Sequence, residues 1–378
     1  KDFSFKFLRI IFGKGSLSRL PEVLKAANCK KVLLVSDHGL ESVGVVAKVE
    51  KIITEAGPHA QFLDLQPNPT IDNVNAALEV YKSSGAESII ALGGGGPMDV
   101  AKSVGLLATY GGKVTDYAGF GKVPGPVVPM IAIPTTAGTG SEVTASSVIT
   151  DSETHFKMAV ISYYLIPGYA LLDPELIMTV PAKIAAACGV DAFVHAEEAY
   201  VSKMANPFTD AMAEKAMELI GGNIRQFVAS RDNEEAACNM MLGSTLAGIA
   251  FAWAKLGDVH AMSHLSSGFF GVAHGLNAIL LPTIVEFNAL ADNGRYRKIY
   301  NYITNGKKAD DSFVPQMLVD ELKKLNAELG IPAKLSDVGV TEDKIPAMVA
   351  DTMKSGNVLV NPRQTTPKDV EALYRSLL

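Results

Sequence analysis

The chain has 378 residues, of which 48% are hydrophobic and 20% charged, and its net charge is −6 at neutral pH. That length exceeds one ordinary core and sets two domains as the expectation. The composition is that of a soluble globular protein, and the charge excludes general attraction to nucleic-acid phosphates.

Strand and helix patterns alternate through the first half. Phe3 to Phe12 is β-prone and broken by Gly13 and Gly15; Leu20 to Ala27 reads as helix. Lys31 to Ser36 (KVLLVS) is the short apolar run of a strand buried on both faces, with Asp37 at its C-terminal end. Helix over Val43 to Glu55, strand over Ala60 to Leu65, helix over Ile71 to Ser84 and strand over Glu87 to Leu92 follow. This order predicts a parallel sheet flanked by helices.

The third of these buried strands runs into Gly93-Gly94-Gly95-Gly96-Pro97-Met98-Asp99 and a helical VAKSVGLLATY. Glycines between a strand end and a helix start let backbone N–H groups approach a pyrophosphate, and the helix dipole favours its charge. No Gly-Lys-Ser/Thr follows, so the loop is not a Walker A loop. It also departs from G-x-G-x-x-G, because Asp99 takes the third glycine's place. Asp37 can accept from an adenosine ribose hydroxyl and repel the 2′-phosphate of NADP; by spacing alone a helix-cap role is equally expected. Pro129 to Ile133 reads as strand and leads into PTTAGTGSE at Pro134 to Glu142, a small, hydroxyl-rich loop suited to a polar ligand or to a turn. Lys157 is a basic residue beside an apolar segment.

Tyr169 to Leu172 reads as the last strand, ended by Asp173-Pro174. From Pro181 the chain becomes Ala-, Met- and Leu-rich. Helical spacing covers Met212 to Ile220, Glu234 to Ala254 and Pro315 to Leu329, while Ser355 to Thr366 is a polar loop. The expected class is therefore α/β: a Rossmann-like nucleotide-binding domain over 1–180 and an all-helical domain over 181–378.

Four of the seven histidines fall between Gly189 and Asn277. Asp191 and His195 share a helix face, as do His260 and His264, and His274 follows a Gly-Phe-Phe-Gly turn. A carboxylate and imidazoles on two helices are donors for a divalent metal. Spacing alone does not choose between His264 and His274. Phe251 is expected to pack or to face a cleft. Cys29, Cys188 and Cys238 make no CxxC pair, Cys188 is expected to be a packing residue, and a reducing cytoplasmic setting is expected. No apolar run is read as reaching spanning length and no signal peptide is recognised, so neither membrane nor nucleic acid is an expected partner.

Taken together, PNPT at Pro67 to Thr70, GGGGPMD, PTTAGTGSE, the Asp173-Pro174 pair, GVDAFVHAEEAY and HAMSHLSSGFFGVAHG resemble the iron-containing, or group III, alcohol dehydrogenases over nearly the whole chain. The resemblance implies NAD bound by Asp37, Asn68, Gly94, Gly95, Gly96, Thr135, Thr136, Thr139 and Lys157. It implies one divalent metal, Fe²⁺ before Zn²⁺, held by Asp191, His195, His260 and His274. His264 is then left near the nicotinamide for proton transfer, with Ser146 and Phe251 near the substrate. The implied reaction is reversible hydride transfer on a short-chain alcohol or aldehyde of the lactaldehyde, propanediol, acetaldehyde or sulfoacetaldehyde type, in a homodimer or higher homo-oligomer. Three departures stand out: Gly96 replaces a usual serine, Ser146 a frequent asparagine, and Asn357 a frequent cysteine. Zinc enzymes similar to glycerol dehydrogenase and lyases similar to dehydroquinate synthase share the architecture; the lyases need a basic phosphate pocket for which the chain shows no clear cluster. An NAD-binding sensing or assembly subunit is the non-enzymatic alternative, and the intact metal-type residues argue against it.

Overall fold

A computed structural model describes residues 8–153, 157–263, 273–306 and 308–378. The expected strand residues Phe3 to Phe7, the Gly-Phe-Phe-Gly turn at 268–271 and His264 lie outside them, as does the side chain of His274. The chain divides into two compact units. One runs to Thr136 and resumes over Gly140–Val180; the other comprises Pro181–Leu378 together with Ala137–Thr139.

The first unit holds nine strands and six helices among its described residues. The strands are β1 (Arg9–Phe12), β2 (Val32–Val35), β3 (His59–Phe62), β4 (Ser88–Gly93), β5 (Gly119–Phe120), β6 (Met130–Pro134), β7 (Ser146–Thr150), β8 (Lys157–Ile161) and β9 (Tyr169–Leu172). The helices are α1 (Leu20–Ala26), α2 (His38–Ser42), α3 (Val45–Ala56), α4 (Ile71–Ser84), α5 (Gly95–Tyr110) and α6 (Pro174–Ile177). Six strands form a sheet in the order β1-β9-β6-β4-β2-β3, parallel throughout.

Alternation along the central strands fills both faces of this sheet. Leu33, Val35, Ile89, Ala91 and Ala132 point to one core, where α4 adds Val74, Ala77 and Leu78 and α5 adds Met98, Ala101 and Val104. Val32, Leu34, Ile90, Leu92, Ile131 and Ile133 point to the other, covered by Leu20, Val23 and Leu24 of α1 and Val45, Val49 and Ile53 of α3. Two buried faces are why these strands read as continuous apolar runs. The Asp173-Pro174 pair has a further task. Asp173 is fully buried, and its carboxylate accepts from the backbone N–H of Gly15, Leu17 and Glu175, tying the turn after β1 to the start of α6.

A second, three-stranded sheet of order β5-β8-β7 was not anticipated from the sequence. β7 and β8 form an antiparallel hairpin pairing Ser146 to Thr150 with Ile161 to Lys157.

The second unit is helical. It contains α7 (Ala182–Val201), α8 (Pro207–Ala229), α9 (Glu234–Ala254), α10 (described over 258–263), α11 (Ala273–Asn288), α12 (Arg295–Ile303), α13 (Pro315–Glu328), α14 (Ile345–Thr352) and α15 (Pro367–Ser376). Helices α7, α8 and α9 pack on one another, with Gly189 and Gly243 at their close approaches, while Gly221 of α8 lets the backbone of α12 come close. By length and composition α9 is apolar enough to cross a membrane, which corrects the reading that no run reaches that length. Its apolar residues are accounted for by packing: Met240, Met241, Ala247 and Ala250 are buried within the unit.

Candidate metal centre and dinucleotide-binding edge

In the sheet unit the expected cofactor residues lie at the carboxyl ends of adjacent strands, where parallel sheets bind ligands. Asp37 follows β2, Asn68 lies in the turn after β3, Gly94 follows β4, and Thr135 and Thr136 follow β6. Gly93 carries a positive φ of 148°, and a Cβ there would sit 2.6 Å from Pro97 Cγ, so only glycine fits this turn into α5. Gly94 is the N-cap of α5 and makes no side-chain cap, so the helix N-terminus stays open to an anion. Thr135 N–H donates to the Gly93 carbonyl, fastening the hydroxyl-rich loop beside the glycine turn. Asp37 caps α2, with Oδ1 accepting from Leu40 N–H at 2.9 Å. Both roles foreseen for this aspartate are compatible, since the cap engages one carboxylate oxygen. Lys157 donates to Asn68 Oδ1 at 2.9 Å; burial first, partly offset by Asp99, brings its pKa down to about 8.

The second sheet is fastened to α5 by Lys102. Its fully buried ammonium donates to the Ser141, Thr144 and Ser146 carbonyls and to the Ser141 and Thr144 hydroxyls. Burial lowers the pKa of Lys102 and raises that of Asp99, and the attraction between the two opposes both shifts. Ser146, expected near the substrate, is half-buried at the start of β7 with its carbonyl taken up by this lysine. Thr139 belongs with the helical unit, and Thr135 and Thr136 with the sheet unit.

In the helical unit Asp191 and His195 of α7 and His260 of α10 come together. All three are buried, and one donor atom from each lies within 4.8 Å of the others. His195 stacks on His260, with centroids 4.5 Å and planes 21° apart, and on Phe251 at 4.5 Å and 25°. Phe251 therefore lies against a donor ring. His195 Nδ1 donates to the Gly138 carbonyl at 3.2 Å. His260 Nδ1 faces Glu198 Oε2 at 2.6 Å. With both Nδ1 atoms engaged, Nε2 is the nitrogen of each ring suited to donate to a metal.

Asn277 of α11 completes the described shell. Its Nδ2 lies 2.6 Å from Asp191 Oδ1 and 3.1 Å from His260 Nε2. Burial alone would lower the pKa of His260, but Glu198 and Asp191 raise it to about 9. The carboxylates thus favour added positive charge here, as a proton or as a dication. An amide donor facing Nε2 is the geometry of the neutral ring, the form a bound cation requires. Cys188, three residues before Asp191, is buried; burial and the Asp191 charge push its thiol up to about 12, which fits packing and not ligation.

Sequence reasoning missed Glu198 and Asn277. The signal for Glu198 was present: Asp191, His195 and Glu198 are spaced i, i+4, i+7 on one helix face. Asn277 lies one turn after His274 on α11, whose backbone is described from Ala273. His264 cannot be placed, being outside the described residues.

Nitrogen and carboxylate oxygen donors without sulfur fit Fe²⁺ and also accept Zn²⁺. The buried Asn277 Oδ1 has no hydrogen-bond partner among the described residues, which leaves acceptor capacity beside the donors. A parallel sheet with a glycine turn at its carboxyl edge and a buried Asp/His group that could hold a metal are the features expected of a metal-dependent, NAD-linked oxidoreductase.

Comparison with known proteins agrees. The family model "Iron-containing alcohol dehydrogenase" matches residues 8–174, and "Fe-containing alcohol dehydrogenase family, C-terminal" matches residues 185–378. The chain is 39% identical over 371 residues to 1,3-propanediol dehydrogenase of Citrobacter freundii, covering 96% of this chain and 95% of that protein. A crystal structure of 1,3-propanediol oxidoreductase superimposes with a TM-score of 0.94 at 36% identity, covering 100% of both chains. Sulfoacetaldehyde reductase from Bifidobacterium kashiwanohense, solved in complex with NAD⁺, does so with a TM-score of 0.88 at 30% identity, covering 100% of this chain and 98% of that one. The chain belongs to the iron-containing alcohol dehydrogenase family, and it is a metal-dependent NAD(H)-linked alcohol dehydrogenase or aldehyde reductase.

Proposed function

We propose that the substrate is a small alcohol or aldehyde of two or three carbons, oxidised or reduced reversibly, with Asp191, His195, His260 and His274 as the metal ligands. The observation that carries this reading is the buried convergence of the first three donors within 4.8 Å. His274 enters through its place on α11, one turn before Asn277. A dication held by these residues would supply Lewis-acid polarisation of the substrate oxygen, and NAD would supply the hydride acceptor or donor.

The chain's own residues do the rest. Asp191 supplies negative charge, and His195 and His260 supply neutral nitrogen donors held by Gly138 and Glu198. Phe251 packs on His195 and keeps water from that ring. The open N-terminus of α5 with Gly94, Gly95 and Gly96 receives the pyrophosphate, Asp37 the adenosine ribose, and Asn68, Lys157, Thr135, Thr136 and Thr139 the remaining polar groups of NAD. His264 is assigned to proton transfer and Ser146 to the substrate side.

The relatives act on propanediol and sulfoacetaldehyde by their names, which supports a short substrate. The decisive assay follows NADH oxidation with acetaldehyde, lactaldehyde, 3-hydroxypropanal and sulfoacetaldehyde, and NAD⁺ reduction with the matching alcohols, after loading the metal-free protein with Fe²⁺ or Zn²⁺. Turnover with at least one aldehyde under one metal is expected; NAD binding without turnover under either would overturn the reading.

A cytoplasmic homodimer is the assembly we propose. That Cys29, Cys188 and Cys238 form no disulfide supports the compartment. The edge strand β1, with Ile10 and Phe12 exposed by 41% and 42%, supports self-association. Light scattering on the eluting protein tests it, and a monomer mass would refute it.

A further inference from the structure

The proton on His260 has to be on the right nitrogen, and one residue outside the donor set decides this. Glu198 Oε1 accepts from Val259 N–H at 2.7 Å, while its Oε2 faces His260 Nδ1 at 2.6 Å. Glu198 is buried, and a Cβ at Gly257 would sit 3.1 Å from its Oε1, so a side chain there would crowd the carboxylate. A carboxylate in this place only accepts, so Nδ1 carries the hydrogen. The opposite side of the ring agrees. Asp191 Oδ1 must accept from Asn277, which makes the atom 3.1 Å from His260 Nε2 an amide donor, and the lone pair is on Nε2.

We propose that Glu198 is a positioning residue that selects the Nδ1–H tautomer of His260 and so keeps the Nε2 lone pair toward Asp191 for the metal. This rests on His260 being a ligand, as assigned above. The chemistry predicts an unusual result for the isosteric substitution. In Glu198→Gln the Val259 N–H still needs an acceptor, so the amide oxygen stays with it. The amide NH₂ then faces Nδ1, Nδ1 becomes an acceptor, and the proton moves to Nε2. Shape is preserved and the tautomer is reversed.

The test compares Zn²⁺ affinity, by competition with a chromogenic chelator, in the wild type, Glu198→Gln and His260→Ala. The expected result is a Glu198→Gln protein with unchanged circular dichroism and melting temperature and Zn²⁺ affinity about 10–100-fold weaker. Wild-type affinity in Glu198→Gln, with metal lost in His260→Ala, overturns the tautomer role alone; metal retained in His260→Ala overturns the ligand assignment beneath it. A second measurement does not depend on the variant folding. Long-range ¹H–¹⁵N correlation on the Zn²⁺-loaded wild type, labelled at histidine, is expected to show a protonated Nδ1 on His260, and a protonated Nε2 would refute the proposal.

Discussion

His195 and His260 lie ring on ring, centroids 4.5 Å apart and planes 21° from parallel, although they come from different helices. Two imidazolium rings would repel at this distance, so the stack favours at least one neutral ring. His260→Ala removes one donor and the surface on which His195 rests. Elemental analysis of the purified variant is expected to show metal well below stoichiometric, with activity at background; stoichiometric metal would refute the assignment.

Asp37 both caps α2 and presents a negative charge at the end of β2. Removing the residue outright confuses the two effects, since losing a cap costs about 1 kcal/mol. Asp37→Ser keeps a cap acceptor and removes only the charge. The ratio of kcat/KM for NADPH to that for NADH is expected to rise by about tenfold or more, equivalent to about 1.4 kcal/mol, with little change in melting temperature. An unchanged ratio would show that Asp37 does not set the preference.

Gly96 stands where the family resemblance leads one to expect serine, and the change can be reversed. A Cβ at Gly96 meets only ordinary contacts, 3.7 Å to Pro69 Cδ and 3.8 Å to the Gln66 and Pro67 carbonyl oxygens. Gly96→Ser is expected to fold normally and lower the Kd for NAD by about two- to tenfold, the net value of one hydrogen bond. Calorimetric titration reads it, and a weaker Kd would show that the hydroxyl does not reach the cofactor.

Burial, with Asp99 partly opposing it, has brought Lys157 down to about 8. In the role proposed for Lys157, the ammonium form would hold the cofactor's oxygens and the neutral amine would do so poorly. NAD affinity is therefore expected to be highest below pH 8 and to fall as pH rises through that value. Lys157→Met should bind NAD about tenfold more weakly or worse at pH 7 and lose the pH dependence. A wild-type titration flat between pH 7 and pH 9 would exclude this role for the lysine.

Legibility followed local physics. Helix α4 and strand β9 were read with their exact limits because each has one strong pattern between clear stops: Thr70 caps α4 with a reciprocal Asn73 bond, and Asp173-Pro174 ends β9. The sheet's order was not written locally. Asp37, Gly94 and Thr135 are far apart along the chain and meet through the adjacency of β2, β4 and β6. The β7–β8 hairpin went unseen because β7 leads from a loop that reads as turn and itself carries polar Ser146, Ser147 and Thr150. The Asp191-His195 pair was visible as helix spacing, yet His260 joins it through packing of separate helices, which no period encodes. Glu198 was passed over because two neighbouring glutamates on a helix ordinarily suggest solvent exposure, and here Glu197 and Glu198 are both buried.

The Asn277 amide does on a small scale what an ion does at full charge, drawing an anionic oxygen and a ring nitrogen toward one point. The charge of Asp191 is thereby answered from within the helical unit, by a residue on a helix other than its own.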